Sequence, residues 1–197
     1  MVKLLPALCL APLCALAQVV CALGSGVSSY KPSSDQRPSP DTMQVAGRVN
    51  TAMKAICADH CPQLALFRNA TAANAMLTLD AGLAKLVYAP QFFATVYGAY
   101  GDDGIIAILA HELGHAVDET MGASWVSPKL GPELRADSWA GCILGRIGLK
   151  DSDLASTLAA LAKYPSPAHP GWPQRLPYLR TGYSHCGGDV SKFDKKR

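Results

Sequence analysis

From residue 41 onward, apolar residues fall either at helical intervals or in short runs cut by turn residues. Met43, Ala46, Val49, Met53 and Ile56 recur every three or four positions, which predicts a helix from Asp41, its cap, to about Asp59, with Pro62 just past its end. Leu64–Phe67, Asn74–Thr78 and Lys85–Tyr88 are strand candidates, and Asp80-Ala81-Gly82 is a turn between the last two. Gln91 to Tyr97 reads as a short helix. The clearest element is the apolar run from Ile105 to about Thr120, preceded by Gly101-Asp102-Asp103-Gly104 and followed by Gly122. Asp102 or Asp103 is its cap. Pro132 suits the first turn of a helix reaching about Leu149, on which Gly141, Gly145 and Gly148 leave one face bare for close packing. Asp151 or Ser152 caps another helix to about Tyr164, and a Pro-rich loop from Pro165 to Pro173 leads to a short helix near Gln174 to Arg180. No internal repeat is present. The expected class is α+β, with a small sheet beside a helical body.

The N-terminus has a different character. Lys3 precedes an apolar run from Leu4 to Leu16, and Ala15-Leu16-Ala17 is a small-x-small cleavage signal, so residues 1–17 read as a signal peptide. A second possible cut follows Gly24. The stretch from Leu4 to Leu23 is about long enough to span a bilayer, which makes an uncleaved anchor the rival; Pro6, Pro12 and the cleavage signal favour removal. Lipidation at Cys21 is disfavoured by the bulky Val20 before it. Residues 18–40, rich in Ser, Pro and Gly from Gly24, read as a flexible linker, residues 41–185 as one domain and residues 186–197 as a tail ending in Lys195-Lys196-Arg197. Export, to a periplasm or to the exterior, changes the meaning of the cysteines. Cys57, Cys61, Cys142 and Cys186 remain after either cut and suggest two disulfides, with Cys57–Cys61 and Cys142–Cys186 the preferred pairing. A second zinc site using Cys57, His60 and Cys61 is the alternative. The net charge of +3 is too small to argue for nucleic acid, and no later segment is long and apolar enough to hold the chain in a membrane.

His111-Glu112-Leu113-Gly114-His115 falls inside the strongest predicted helix. Residues four apart point to one side, so both imidazoles can reach one ion, while Glu112 can reach a water on that ion without binding it. This is the arrangement of a zinc ligand pair and a general base. A hydrolytic zinc needs a third protein ligand. A histidine at the metzincin spacing would fall at position 121, which is Met121. Glu133, 18 residues after His115, opens the next helix and is the expected third ligand. Asp137, one turn on in Glu133-Leu134-Arg135-Ala136-Asp137, is the expected acceptor orienting a ligand imidazole. Asp118 is a weaker substitute for either role. His169, in the Pro-rich loop, is a candidate to stabilise an oxyanion or to bind the zinc in a closed form; Tyr183 and His185 are further donors to consider, and Arg175 reads as a structural ion-pair partner.

HELGH followed by ELRAD resembles the gluzincin metallopeptidases, and most closely the CAAX-prenyl-protease/HtpX-like zinc peptidases with their exported bacterial members. Asn74-Ala75-Met76, Gly104 to Ala110, and His169-Pro170 with Gln174-Arg175 are similar to further segments of that family in the same order, so the resemblance spans roughly residues 41–183. The interval from His115 to Glu133 is shorter than in most of the family, and the transmembrane helices of some members are absent. The resemblance implies a zincin-like fold, a small antiparallel sheet beside the HExxH helix, with the edge strand near Lys85–Tyr88 lining the cleft. It also implies an endopeptidase acting on polypeptides by zinc-activated water. A catalytically silent or gated zinc module and a zinc amidase of cell-wall peptides are the alternatives.

Overall fold

The computed structural model of the protein describes residues 18–22, 29–80, 83–165 and 169–193. The signal-peptide reading of residues 1–17, the turn residues Ala81 and Gly82, and the basic run Lys195–Arg197 lie outside the described residues.

The run from Gly104 to Val117 is apolar on every side but for the HExxH residues, and every residue of it is buried. A helix with no polar face has to be enclosed. This one, part of α2 (Pro90–Met121), packs against α1 (Pro40–Cys57), α3 (Pro132–Ile147), α4 (Asp151–Lys163) and the sheet. The expected break before it is a kink at Gly101, whose φ of 61° and ψ of −151° suit a residue without a Cβ; the chain is helical on both sides. The short helix at Gln91–Tyr97 is thus the first arm of α2.

Two caps differ from expectation. Ser39, not Asp41, caps α1: its Oγ accepts from the Thr42 amide at 3.3 Å, and Pro40 takes the first helical position, where its fixed φ fits and its missing N–H costs nothing. Lys150 precedes α4, which moves Asp151 into the first turn. α5 (Trp172–His185) is longer than the Gln174–Arg180 expected, and it runs through Pro177. Its packing on α3 accounts for that. A Cβ at Gly141 of α3 would run into the Leu179 carbonyl, and one at Gly182 of α5 into the Ser138 carbonyl, so the two backbones nearly touch. Gly145 meets Tyr183 in the same way, whereas Gly148 has φ 69° and ends α3. The Cys142–Cys186 disulfide closes this pair, and Cys57–Cys61 closes the end of α1. With both thiols joined, the Cys57-His60-Cys61 metal alternative falls away.

Ala58, just past α1, has φ 47° and ψ −119°, a conformation that suits glycine. Its amide bonds to the Lys54 carbonyl, and the Cys57–Cys61 bridge spans it. Such strain costs about 1–3 kcal/mol, against about 0.5–1 kcal/mol of extra chain entropy for glycine. Ala58→Gly is therefore expected to raise the urea-unfolding free energy by about 1 kcal/mol; an unchanged or lower value would show the turn to be unstrained.

The sheet has the order β1-β3-β4-β2: a three-stranded centre of β2 (Leu64–Arg68), β3 (Ala75–Asp80) and β4 (Leu83–Tyr88), with β1 (Gln18–Ala22) added on β3. It is mixed rather than antiparallel. β3 and β4 form the expected hairpin, but β2 pairs with β4 in parallel, Leu64 opposite Ala84 through Arg68 opposite Tyr88. The chain leaves β2 and passes over to β3, so that the returning β4 fills the gap between them. β4 is therefore interior, and Lys85–Tyr88 is not an edge.

Residues 29–39 are docked rather than free. Asn69 Nδ2 donates to the Lys31 carbonyl (2.9 Å) and to Asp35 Oδ1 (2.8 Å), Lys85 pairs with Asp35 at 3.1 Å, and Gln36 bridges to Arg68. No helix among the described residues is long and apolar enough to cross a membrane.

Candidate metal centre

The distance between α2 and α3 is set at Gly114, inside the HExxH sequence: a Cβ there would collide with the Ala136 carbonyl of α3. This close approach brings the first turn of α3 to the imidazoles of α2. Glu133 Oε2 lies 3.3 Å from His111 Nε2 and 3.6 Å from His115 Nε2. All three residues are buried, and their ligand atoms fall within 4.8 Å of one another. His115 Nε2 has no hydrogen-bond partner. A buried nitrogen left without a bond is costly unless something else binds it. Two imidazole nitrogens and one carboxylate oxygen converging on one point could hold a metal ion, and the donor types suit a first-row divalent cation.

Asp137 stands behind His111. Its Oδ1 lies 3.0 Å from His111 Nδ1, which turns Nε2 toward the cluster. Arg175 of α5, itself buried, donates from Nε to Asp137 Oδ2 (2.8 Å) and from Nη2 to Oδ1 (2.7 Å), and from Nη1 to the Leu161 carbonyl (3.2 Å). The sequence reads Arg175 as a structural ion-pair partner. Its place as the anchor of Asp137 had one signal, an arginine among the apolar positions of α5. Asp118 is engaged elsewhere, with Arg135 Nε at 2.6 Å and Trp139 Nε1 at 3.2 Å. Tyr183 packs on Phe193, and His185 stacks on Trp125 at 4.5 Å.

His169 enters the cluster from the loop before α5. Its Nε2 is 2.7 Å from Glu133 Oε2 and 3.1 Å from His111 Nε2. Glu112 lies near both His111 and Glu133. It is fully buried, neither carboxylate oxygen makes a hydrogen bond of ordinary geometry, and the backbone of Leu77 in β3 lies against it.

Burial pushes the Glu112 carboxyl up to about 8, opposed by His111. Burial alone would lower His111, but its bonds to Asp137 and Glu133 outweigh that and raise it to about 9. His115 and His169 are lowered by burial. Burial would raise Glu133 and Asp137, yet the surrounding imidazoles hold Glu133 below the usual carboxylate range, and Arg175 with His111 does the same for Asp137. The metal-free centre therefore carries protons on His111 and Glu112 at pH 7. A ligand imidazole must give its proton up, so metal affinity is expected to rise with pH toward 9. Calorimetry in two buffers of different protonation enthalpy should read at least one proton released per ion at pH 7. Release that is absent at pH 7 would contradict this arrangement.

No protein-family model matches the chain, and neither does any curated protein or solved structure, so the chemistry of the centre rests on these side chains and their distances.

Proposed function

We propose that the protein is a zinc-dependent endopeptidase that cuts polypeptides in the exported compartment, with Glu112 as its general base. The observation that carries this reading is the pairing of a two-imidazole, one-carboxylate cluster with a buried carboxyl beside it that has no structural employment. The HELGH and ELRAD resemblance adds to it.

Zinc held by His111, His115 and Glu133 would supply Lewis acidity, making water acidic enough to act near neutral pH and polarising a peptide carbonyl. The chain supplies the rest. Glu112 takes a proton from the attacking water and gives it to the departing amine. Asp137 and Arg175 hold His111 in one orientation, so its ring need not turn during the reaction. The burial that raises Glu112 matches it to proton transfer near neutral pH. The two disulfides are compatible with export.

Cleavage of unfolded casein in ¹⁸O-labelled water tests the reaction class. Peptides with one ¹⁸O in each new carboxyl are expected. Incorporation of label only into peptidoglycan fragments, with casein intact, would favour the amidase instead.

One contact favours a second, gated reading. His169 Nε2 lies among the ligand atoms, where a substrate carbonyl would have to come. If His169 closes the centre, His169→Ala keeps its zinc and cuts short peptides several-fold faster than the parent. Slower cutting at equal zinc content would make His169 an oxyanion donor.

A further inference from the structure

β3 is the strand nearest the reacting groups: it packs on α2, and its Leu77 backbone lies against the Glu112 carboxylate. One edge of β3 is paired to β4. The other is where an extended peptide could add by backbone pairing and reach the centre. That edge carries residues of the same chain. β1 runs antiparallel along it, with Gln18 opposite Leu79, Val19 opposite Thr78, Cys21 opposite Leu77 and Ala22 opposite Met76.

We propose that β1 is a built-in occupant of the peptide-binding edge of β3, excluding weakly binding peptides from the metal centre. The inference rests on the peptidase reading above. Two features of β1 suit the role. It is only five residues long, so a substrate that pairs well can displace it. Its register slips between Val19 and Cys21, leaving Val20 as an extra residue beside the Thr78–Leu77 step. Such a bulge interrupts the ladder. The irregularity falls at the point of β3 that meets Glu112, where a peptide due for cleavage would need regular pairing to be presented. The strand is also tethered: Ser29 Oγ and the Lys31 amide bond to Thr71, so its local concentration is high and independent of dilution. Of the two cuts read from the sequence, the one after Ala17 keeps β1 whole and the one after Gly24 removes it, so the choice of cut sets whether the edge is filled.

The test uses the full chain in a Glu112→Gln background, with and without Val19→Pro and Cys21→Pro, which remove two backbone donors from β1. The probe is a fluorescein-labelled peptide of residues 18–24, with anisotropy as the readout. The proline variant is expected to bind it about tenfold more tightly than its parent, because its edge no longer has to be vacated. Equal affinity, or binding to neither, overturns the proposal. Amide exchange gives a second reading on the parent alone. The amides of Met76–Leu79 that face away from β4 should be protected, and exchange as fast as unpaired backbone refutes β1 as their partner. Neither readout needs cleavage. A tenfold gain in binding without casein cleavage by the proline variant that keeps Glu112, with or without His169→Ala, would sink the peptidase reading and leave the occupied edge standing.

Discussion

Glu112→Gln is expected to lower protein cleavage by roughly 10² to 10⁴-fold while the chain keeps its metal. The substitution is isosteric, and Glu112 oxygens make no hydrogen bond that a glutamine would break. The residues that could hold the metal are His111, His115 and Glu133. What is lost is a group that can accept a proton and pass it on. The fold should tolerate the change, since a buried unpaired carboxyl is a cost to the parent. For the metal-free protein the sign follows from the direction of the shift. Glu112 is raised from 4.5 to about 8 on folding, so its contribution to stability is complete below about pH 4.5 and lost as pH climbs through about 8. The Gln variant lacks that loss, although His111, raised to about 9, still imposes one between its ordinary value and pH 9. Metal analysis, turnover and urea melts at pH 5 and pH 9 check all three statements. Loss of metal in the variant would place Glu112 among the ligands; unchanged turnover would remove it from the chemistry.

The largest structural effect is expected at Asp137. Asp137→Ala leaves the Arg175 guanidinium buried without its carboxylate and His111 Nδ1 without its acceptor. Breaking a buried charge pair costs about 3–5 kcal/mol, a large part of the roughly 5–15 kcal/mol that holds a typical domain together. Two milder variants separate the causes. Asp137→Asn retains an acceptor for His111 and is expected to fold with zinc affinity lowered about 10 to 100-fold. Asp137→Ala with Arg175→Met removes both charges and should recover much of the stability but none of the affinity. Recovery of affinity in the double variant would mean that Asp137 serves only to neutralise Arg175. Denaturant midpoints and competitive zinc titration read the two quantities apart.

The centre was legible in the sequence where it follows from local spacing. His111, Glu112 and His115 share a helix, so the 3.6-residue repeat alone places them, and Glu133 opens the next helix, delimited by Pro132. What spacing could not give was the third dimension. The part of Arg175 depends on α5 lying against α3, a contact set by Gly141 and Gly182, far apart in sequence. The same packing carries α5 through Pro177, which propensity reads as a stop. In the sheet the short runs located β2, β3 and β4 correctly, yet alternation says nothing about order. The parallel pairing of β2 with β4, and hence which strand lies beside Glu112, depends on a crossover with no local signature. Residues 29–39 read as linker because Ser and Pro dominate them; their docking comes from Asn69, which donates to Lys31 and Asp35 from across the fold.

Zinc content and casein cleavage are to be measured on one purified sample, before chelation, after chelation and after zinc is restored. A zinc endopeptidase should show about one zinc per chain, cleavage that disappears with the metal, and cleavage that returns with it, in the parent and not in Glu112→Gln. A chain that holds zinc at this centre and cuts no protein in any of the three states, with His169→Ala equally silent, would contradict the endopeptidase reading.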